Sequence, residues 1–213
     1  SDCIKYHLVD HEQYIDAYLS YIFNLLTNPP ETIPKQITSI LRFFYSITST
    51  IIYIQNLAKL IPIANLIPNF ITISHDNPTI INDFYYFAST HMQLFIESYQ
   101  ALFQTMTDMI SSEDFSSGIK NTAILIIIKL VPHYLANFQP HANDIFDFFA
   151  SQLPQEEIQD FCVLFLSQFS KLYGSNPDYA IHVYTFFQNN VPDPFSYVAI
   201  GTSYEGIKEH FSH

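Results

Sequence analysis

An all-α fold is predicted by three features of the sequence. Apolar residues recur at three-and-four spacing rather than in strict alternation. Prolines stand where helices would open. Glycine is scarce, with four in 213 residues, which argues against barrels, sandwiches and glycine-rich nucleotide loops. Strand signals are missing: there is no Asn-Gly or Asp-Gly hairpin, and turns fall at helix-length intervals rather than about every ten residues.

Taken in order, "HEQYIDAYLSYIFNLL" predicts a helix ended by Asn28-Pro29-Pro30. "PKQITSILRFFYSITSTIIYIQNLAKL" predicts a long helix running towards Pro62; its β-branched residues lower helix propensity without imposing a two-residue period. "IPIANLIPNFITIS" reads as a short helix interrupted near Pro68. Asn77-Pro78 offers a cap and a first-turn proline to the segment 77–110, one long helix or two shorter ones. Ser111 and Asp114 have capping-box spacing.

"NTAILIIIKLVPHYL", residues 121–135, carries an unbroken apolar run from Ala123 to Ile128. A membrane span needs about 20 such residues, and Lys129, Pro132 and His133 cut this run short. No βαβ pattern surrounds it to receive a buried strand. The expectation is a central helix packed between other helices.

Downstream, Ile145, Phe148, Phe149 and Leu153 form a short amphipathic face after Pro140. Residues 155–173 place Ile158, Phe161, Cys162, Phe165, Phe169 and Leu172 on one face, with Glu156 and Glu157 expected in the first turn and Gly174 in a left-handed cap. Asn176-Pro177 opens a further helix with Tyr179, Val183, Phe186 and Phe187, and Asp193-Pro194 an expected last one. The chain is expected to be a single all-helical domain and a piece of a larger repeat protein, with residues 1–110 less regular and 111–213 in clearer hairpins.

Eight basic residues stand against twenty acidic ones, a formal charge of −12, and Arg42 is the only arginine. That balance disfavours nucleic-acid backbones and anionic membrane surfaces and suits a basic protein partner. Two cysteines, Cys3 and Cys162, point to a reducing, intracellular setting, cytoplasmic or nuclear; Cys162 falls in an apolar helical pattern as a small buried hydrophobe.

Pro140 and Pro177 lie 37 residues apart, Pro154 and Pro194 lie 40 apart, and each interval spans two helices. This is close to the roughly 40–47-residue period of HEAT and armadillo repeats. The segment from Pro140 to Phe187 resembles HEAT hairpins of importin-β and exportin type, in its paired amphipathic helices, its acidic residues after the intra-hairpin turn and its Asn-Pro opening. The resemblance implies an α-solenoid that acts as a non-enzymatic protein-binding scaffold, in nuclear transport or trafficking. No repeat carries the Asp and Arg positions of a HEAT consensus. The alternative is an irregular bundle around a central buried helix, a compact viral or effector module that holds a host helix in a groove.

Candidate sites follow. "HLVDH" places His7 and His11 four apart with Asp10 between them, a spacing that could share zinc in a metal-dependent hydrolase; Asp10 is too short for the general base. Glu209, His210 and His213 form a looser cluster. His133 and His141 read as helix-end polar residues, and no G-x-S-x-G turn supports a serine nucleophile. No cofactor, catalytic residue or metal is therefore expected. The candidate partner-binding residues are Phe43, Phe44, Tyr45, Tyr85 and Tyr86, and the carboxylates Asp144, Asp147, Glu156 and Asp160. The aromatics suit a Phe-rich or amphipathic segment and the carboxylates a basic one.

Overall fold

The computed structural model describes residues 14–28, 39, 41–45, 48, 57–71 and 78–190. Among these residues every regular element is helical and there is no strand. They divide into two compact units, one up to Phe115 and one from Ser116.

The first unit contains α1 (Ile15–Thr27), α2 (Leu57–Ala64), α3 (Pro68–Ile71), α4 (Pro78–His91) and α5 (Tyr99–Ser111), with a 3₁₀ turn at Met92–Phe95. Residues 41–45 are also helical. α1 buries Ile15, Leu19, Ile22 and Leu26, the stripe its spacing dictates, and packs on α2. It ends at Asn28, whose N–H bonds the Asn24 carbonyl, before the two prolines. Pro62 lies inside α2, and the chain turns at residues 65–67 so that Pro68 opens α3. The expected interruption near Pro68 is therefore present. Residues 78–110 form two helices, because the backbone tightens into the 3₁₀ turn that buries Met92, Leu94 and Phe95. Most of the expected long helix over 34–60, and Asn77, lie outside the described residues.

The second unit contains α6 (Ser117–His133), α7 (Leu135–Phe138), a 3₁₀ turn at Gln139–His141, α8 (Ala142–Gln152), α9 (Gln159–Tyr173) and α10 (Pro177–Asn190). α6 is the apolar run of 121–135. Ile119, Thr122, Ala123, Ile124, Ile126, Ile127, Ile128, Leu130 and Val131 are all buried on it. Its wet strip is narrow: Gly118, Lys129 and Pro132 are exposed and Leu125 is half-buried, and these positions fall along one line of the helix. α6 packs on α9, which packs on α8, and α10 packs on both α8 and α9. No single helix among the described residues is long and apolar enough to cross a membrane; α6 and the segment Leu135–Gln152 reach that test only together and meet at a bend of 103°.

Four local expectations need correction. α9 begins at Gln159, so Glu156 and Glu157 sit in the turn before it and Asp160 takes the first-turn position. On α8 the buried aromatics are Phe146 and Phe149, with Phe148 only half-buried. No capping box forms at 111–114: α5 runs through Ser111, and the Asp114 N–H instead bonds the Ser112 hydroxyl at 3.2 Å. Gly174 is right-handed, at φ −59° and ψ −20°, so a left-handed backbone is not its reason. A Cβ at Gly174 would stand 2.6 Å from the Ser170 carbonyl oxygen, and that oxygen already accepts the Gly174 N–H at 2.8 Å. Close approach, not handedness, requires glycine here. The Asn176 cap forms as expected, its Oδ1 accepting from Asp178 N–H at 3.0 Å and Tyr179 N–H at 3.4 Å.

Two stability outcomes follow. Ile127 has no exposed surface, so Ile127→Lys should cost about 3–5 kcal/mol, the scale of an uncompensated buried charge; an unfolded or strongly shifted denaturant transition by circular dichroism is expected. At a right-handed position Gly→Ala ordinarily stabilises by about 0.4–1 kcal/mol. Gly174→Ala should instead destabilise by about 1–3 kcal/mol, the cost of overpacking against an atom that cannot swing away, read from the same melts.

Candidate partner-binding site

Residues 41–45 show how one helical turn sorts an aromatic run. Phe44 has no exposed surface and packs on Phe87 at 5.6 Å between ring centroids. Tyr45 stacks on Phe87 at 4.3 Å and an interplanar angle of 17°. Tyr45 keeps some exposed surface, but its hydroxyl is buried and meets no hydrogen-bond partner. Burial, and then the negative charge of Asp83, hold its pKa well above the ordinary tyrosine value. Phe44 is therefore a core residue of the first unit, while Tyr45 is half-buried with its hydroxyl turned inward.

The other aromatics divide. Phe43 is half-buried against Tyr18, at 5.9 Å. Tyr85 is half-buried, and Tyr86, at 71% exposure, is the open member of the set. Arg42 closes an ion pair with Asp83 of α4, so the lone arginine ties the 41–45 segment to the helix that carries Tyr85 and Tyr86. His91 is buried at the end of α4, 5.3 Å from the Phe87 ring, and burial lowers its pKa. Nothing in its sequence context singled it out.

Sequence reading passed over the outer face of α1. Tyr14, Tyr18, Tyr21 and Phe23 are exposed by 43, 36, 64 and 37%. Tyr14, Tyr18 and Tyr21 recur at the helical spacing of a second stripe, beside the buried one, so the signal was available in the pattern. Between α1 and α2 lies a cleft of about 520 Å³, lined by Leu19, Phe23, Pro62 and Ile63 and edged by the ion pair of Asp16 with Lys59.

In the second unit the four carboxylates are all exposed. Asp144 and Asp147 lie one turn apart on α8, and Asp147 Oδ1 meets His182 Nε2 of α10 at 2.7 Å. Glu156 and Asp160 belong to the α8–α9 turn and the start of α9. In a hairpin of two packed helices that turn lies at the far end of α8, about 16 Å from its start. The four therefore do not form one patch. The start of α10 instead adds Asp178 to the Asp144–Asp147 end, a residue the sequence reading did not single out.

Beneath this surface an aromatic core locks α8, α9 and α10 together. Phe149 and Phe165 stack at 3.8 Å, Phe165 and Phe169 at 5.1 Å, and Tyr179 meets the edge of Phe169 at 5.6 Å. Ser170 Oγ and Tyr179 Oη share a hydrogen bond of 3.0 Å, and Tyr173 Oη donates to the Leu135 carbonyl at 2.8 Å.

Among the described residues no three His, Cys, Asp or Glu side chains come together as metal ligands. His7, Asp10, His11, Cys3, Glu209, His210 and His213 lie outside the described residues. His133 and His141 are exposed at the end of α6 and in the 3₁₀ turn. Cys162 is wholly buried, and burial pushes its thiol up to about 12. No protein-family model matches the chain, and no curated protein or solved structure is significantly similar to it.

Alkaline pH should therefore unfold the second unit. Burial raises the pKa values of Cys162, Tyr134 and Tyr173 to about 12, from ordinary values of 9.0 for the thiol and 10.0 for the phenols. The folded state keeps protons that the unfolded state releases, so this stabilisation is complete below pH 9 and is lost as pH rises from 9 towards 12. Denaturant midpoints should fall steadily over that window. In a Cys3→Ser variant, native chain at neutral pH should resist a thiol reagent that labels it fully once unfolded.

Proposed function

We propose that this chain is a non-enzymatic, helical-repeat scaffold that binds a basic, amphipathic protein segment, in an intracellular setting such as nuclear transport or trafficking. The observation that carries the reading is the packing of the second unit. α8 and α9 pair as a hairpin, and α10 covers both, as the first helix of a following hairpin would in a HEAT-like stack. Such stacks bury apolar faces between hairpins and leave the helix ends and outer faces to partners. Here those faces carry Asp144, Asp147 and Asp178, on a chain of net charge −12. That field speeds and selects encounter with positive segments. The first unit by itself offers exposed aromatic surface at Tyr86 and along the α1 stripe of Tyr14, Tyr18 and Tyr21, the residue type enriched at protein interfaces.

A second reading has one specific observation in its favour. α6 is buried around most of its circumference, which also suits a compact bundle built about one central helix, holding a partner helix in a groove. Small-angle scattering separates the two, since a stack extends in one dimension and a bundle does not.

The binding claim is tested with two fluorescein-labelled helical peptides that share a Phe-rich face. One carries Lys and Arg on its polar face and the other Glu. Fluorescence anisotropy should show saturable binding of the basic peptide only, weakening as salt is raised from 0.05 to 0.5 M because exposed charges are screened beyond about 10 Å at 0.1 M. Equal binding of the two peptides, or a dissociation constant above about 1 mM for both, would sink the proposal.

A further inference from the structure

In the second unit a cleft of about 400 Å³ opens where α7, the 3₁₀ turn and the starts of α8 and α10 converge. Ala136, Pro140 and Ala142 give it apolar walls, Gln139 and Asn143 add amides, and Asp178 is the charged residue in its lining. Asp178 has no ion-pair partner among the described residues. Asn143 Oδ1 is buried in the wall without a hydrogen-bond partner.

The chemistry of the lining narrows the occupant. An anion at these helix starts would meet Asp144 and Asp178, which already hold the first turns of α8 and α10. A divalent cation would find one carboxylate and no cluster of three ligating side chains. A neutral apolar group would leave the Asp178 charge and the amides of Gln139, Asn143 and Asn176 unanswered. A long side chain with an apolar stem and a cationic head answers all three surfaces at once.

We propose that this cleft receives one Lys or Arg side chain of a protein partner. The stem lies against Ala136, Pro140 and Ala142, and the head donates to the Asp178 carboxylate. Asp144 and Asp147, next along α8, extend the negative field beyond the mouth for neighbouring basic residues. The site deepens the scaffold reading and rests on it only for the source of the side chain.

The test uses the ¹⁵N-labelled chain titrated with N-acetyl-arginine methylamide, N-acetyl-lysine methylamide and the uncharged N-acetyl-norleucine methylamide. Saturating shifts confined to amides of residues 136–143 and 176–179 are expected with the charged probes and not with norleucine. Asp178→Asn should weaken binding about fivefold, the upper range for a partly exposed ion pair. Because Asp178 also sits in a first turn, a second variant is needed. Ala136 is exposed, so Ala136→Trp fills the cleft without touching the core and should abolish the shifts while the rest of the spectrum stays native. Norleucine binding equally well, or charged probes that ignore both variants, overturns the proposal. If Ala136→Trp leaves binding of the basic peptide unchanged, the cleft assignment fails and the scaffold reading stands. If the charged probes saturate the cleft while the basic peptide does not bind, the scaffold reading fails and the cleft stands.

Discussion

The second unit depends on one run of rings. Phe165, Phe169 and Tyr173 stand four residues apart on α9, so helical geometry places them one above another on a single face. Phe149 of α8 stacks on the first and Tyr179 of α10 meets the second and third. Each such pair contributes about 0.5–1.5 kcal/mol beyond the area it buries. More important is that one ladder serves two of the helices packed on α9, α8 and α10. It sets where α8 and α10 lie, and so where Asp147 meets His182 and where the polar cleft opens beside Asn176 and Tyr179.

The first unit is held by the same kind of contact with a different layout. Phe44, Phe84, Phe87 and Phe95 form a cluster in which Phe87 touches both Phe44 and Phe95. The rings come from three separate segments rather than from consecutive turns of one helix. The two designs leave different surfaces open. In the first unit Phe44 is taken by the core, Phe43 and Tyr45 are half-buried, and the more exposed rings lie on α1 and at Tyr86. In the second unit the rings are inside and the carboxylates at the helix ends face outward.

Legibility differed by the range of the interaction. Period-dependent features were readable: the buried stripe of α1, the encircling burial of α6, the face of α9 and the Asn176 cap all depend on residues within a few positions of one another. Gly174 shows the limit. Its presence at a helix end was readable, but its reason was the distance to the Ser170 oxygen, which only coordinates supply. Phe44 and Tyr45 show it again. Three consecutive aromatics cannot share one face, so some had to differ in burial; which ones did depends on where α4 lies. The candidate carboxylates were identified by their charge, and nothing local could tell that Asp144 and Asp147 end up near Asp178 while Glu156 and Asp160 end up at the other end of the hairpin.

By itself, then, the sequence determined that this chain is helical, that α6 is buried around most of its surface, and that the chain is strongly acidic. Those conclusions need only the 3.6-residue period, the cost of exposing apolar side chains and the sign of the net charge. Tertiary structure decided which aromatics are core and which are open, and that α7, α8 and α10 meet around a cleft lined by the Asp178 carboxylate. Those are matters of long-range packing, set by which helix lies against which, and no spacing along a single helix encodes them.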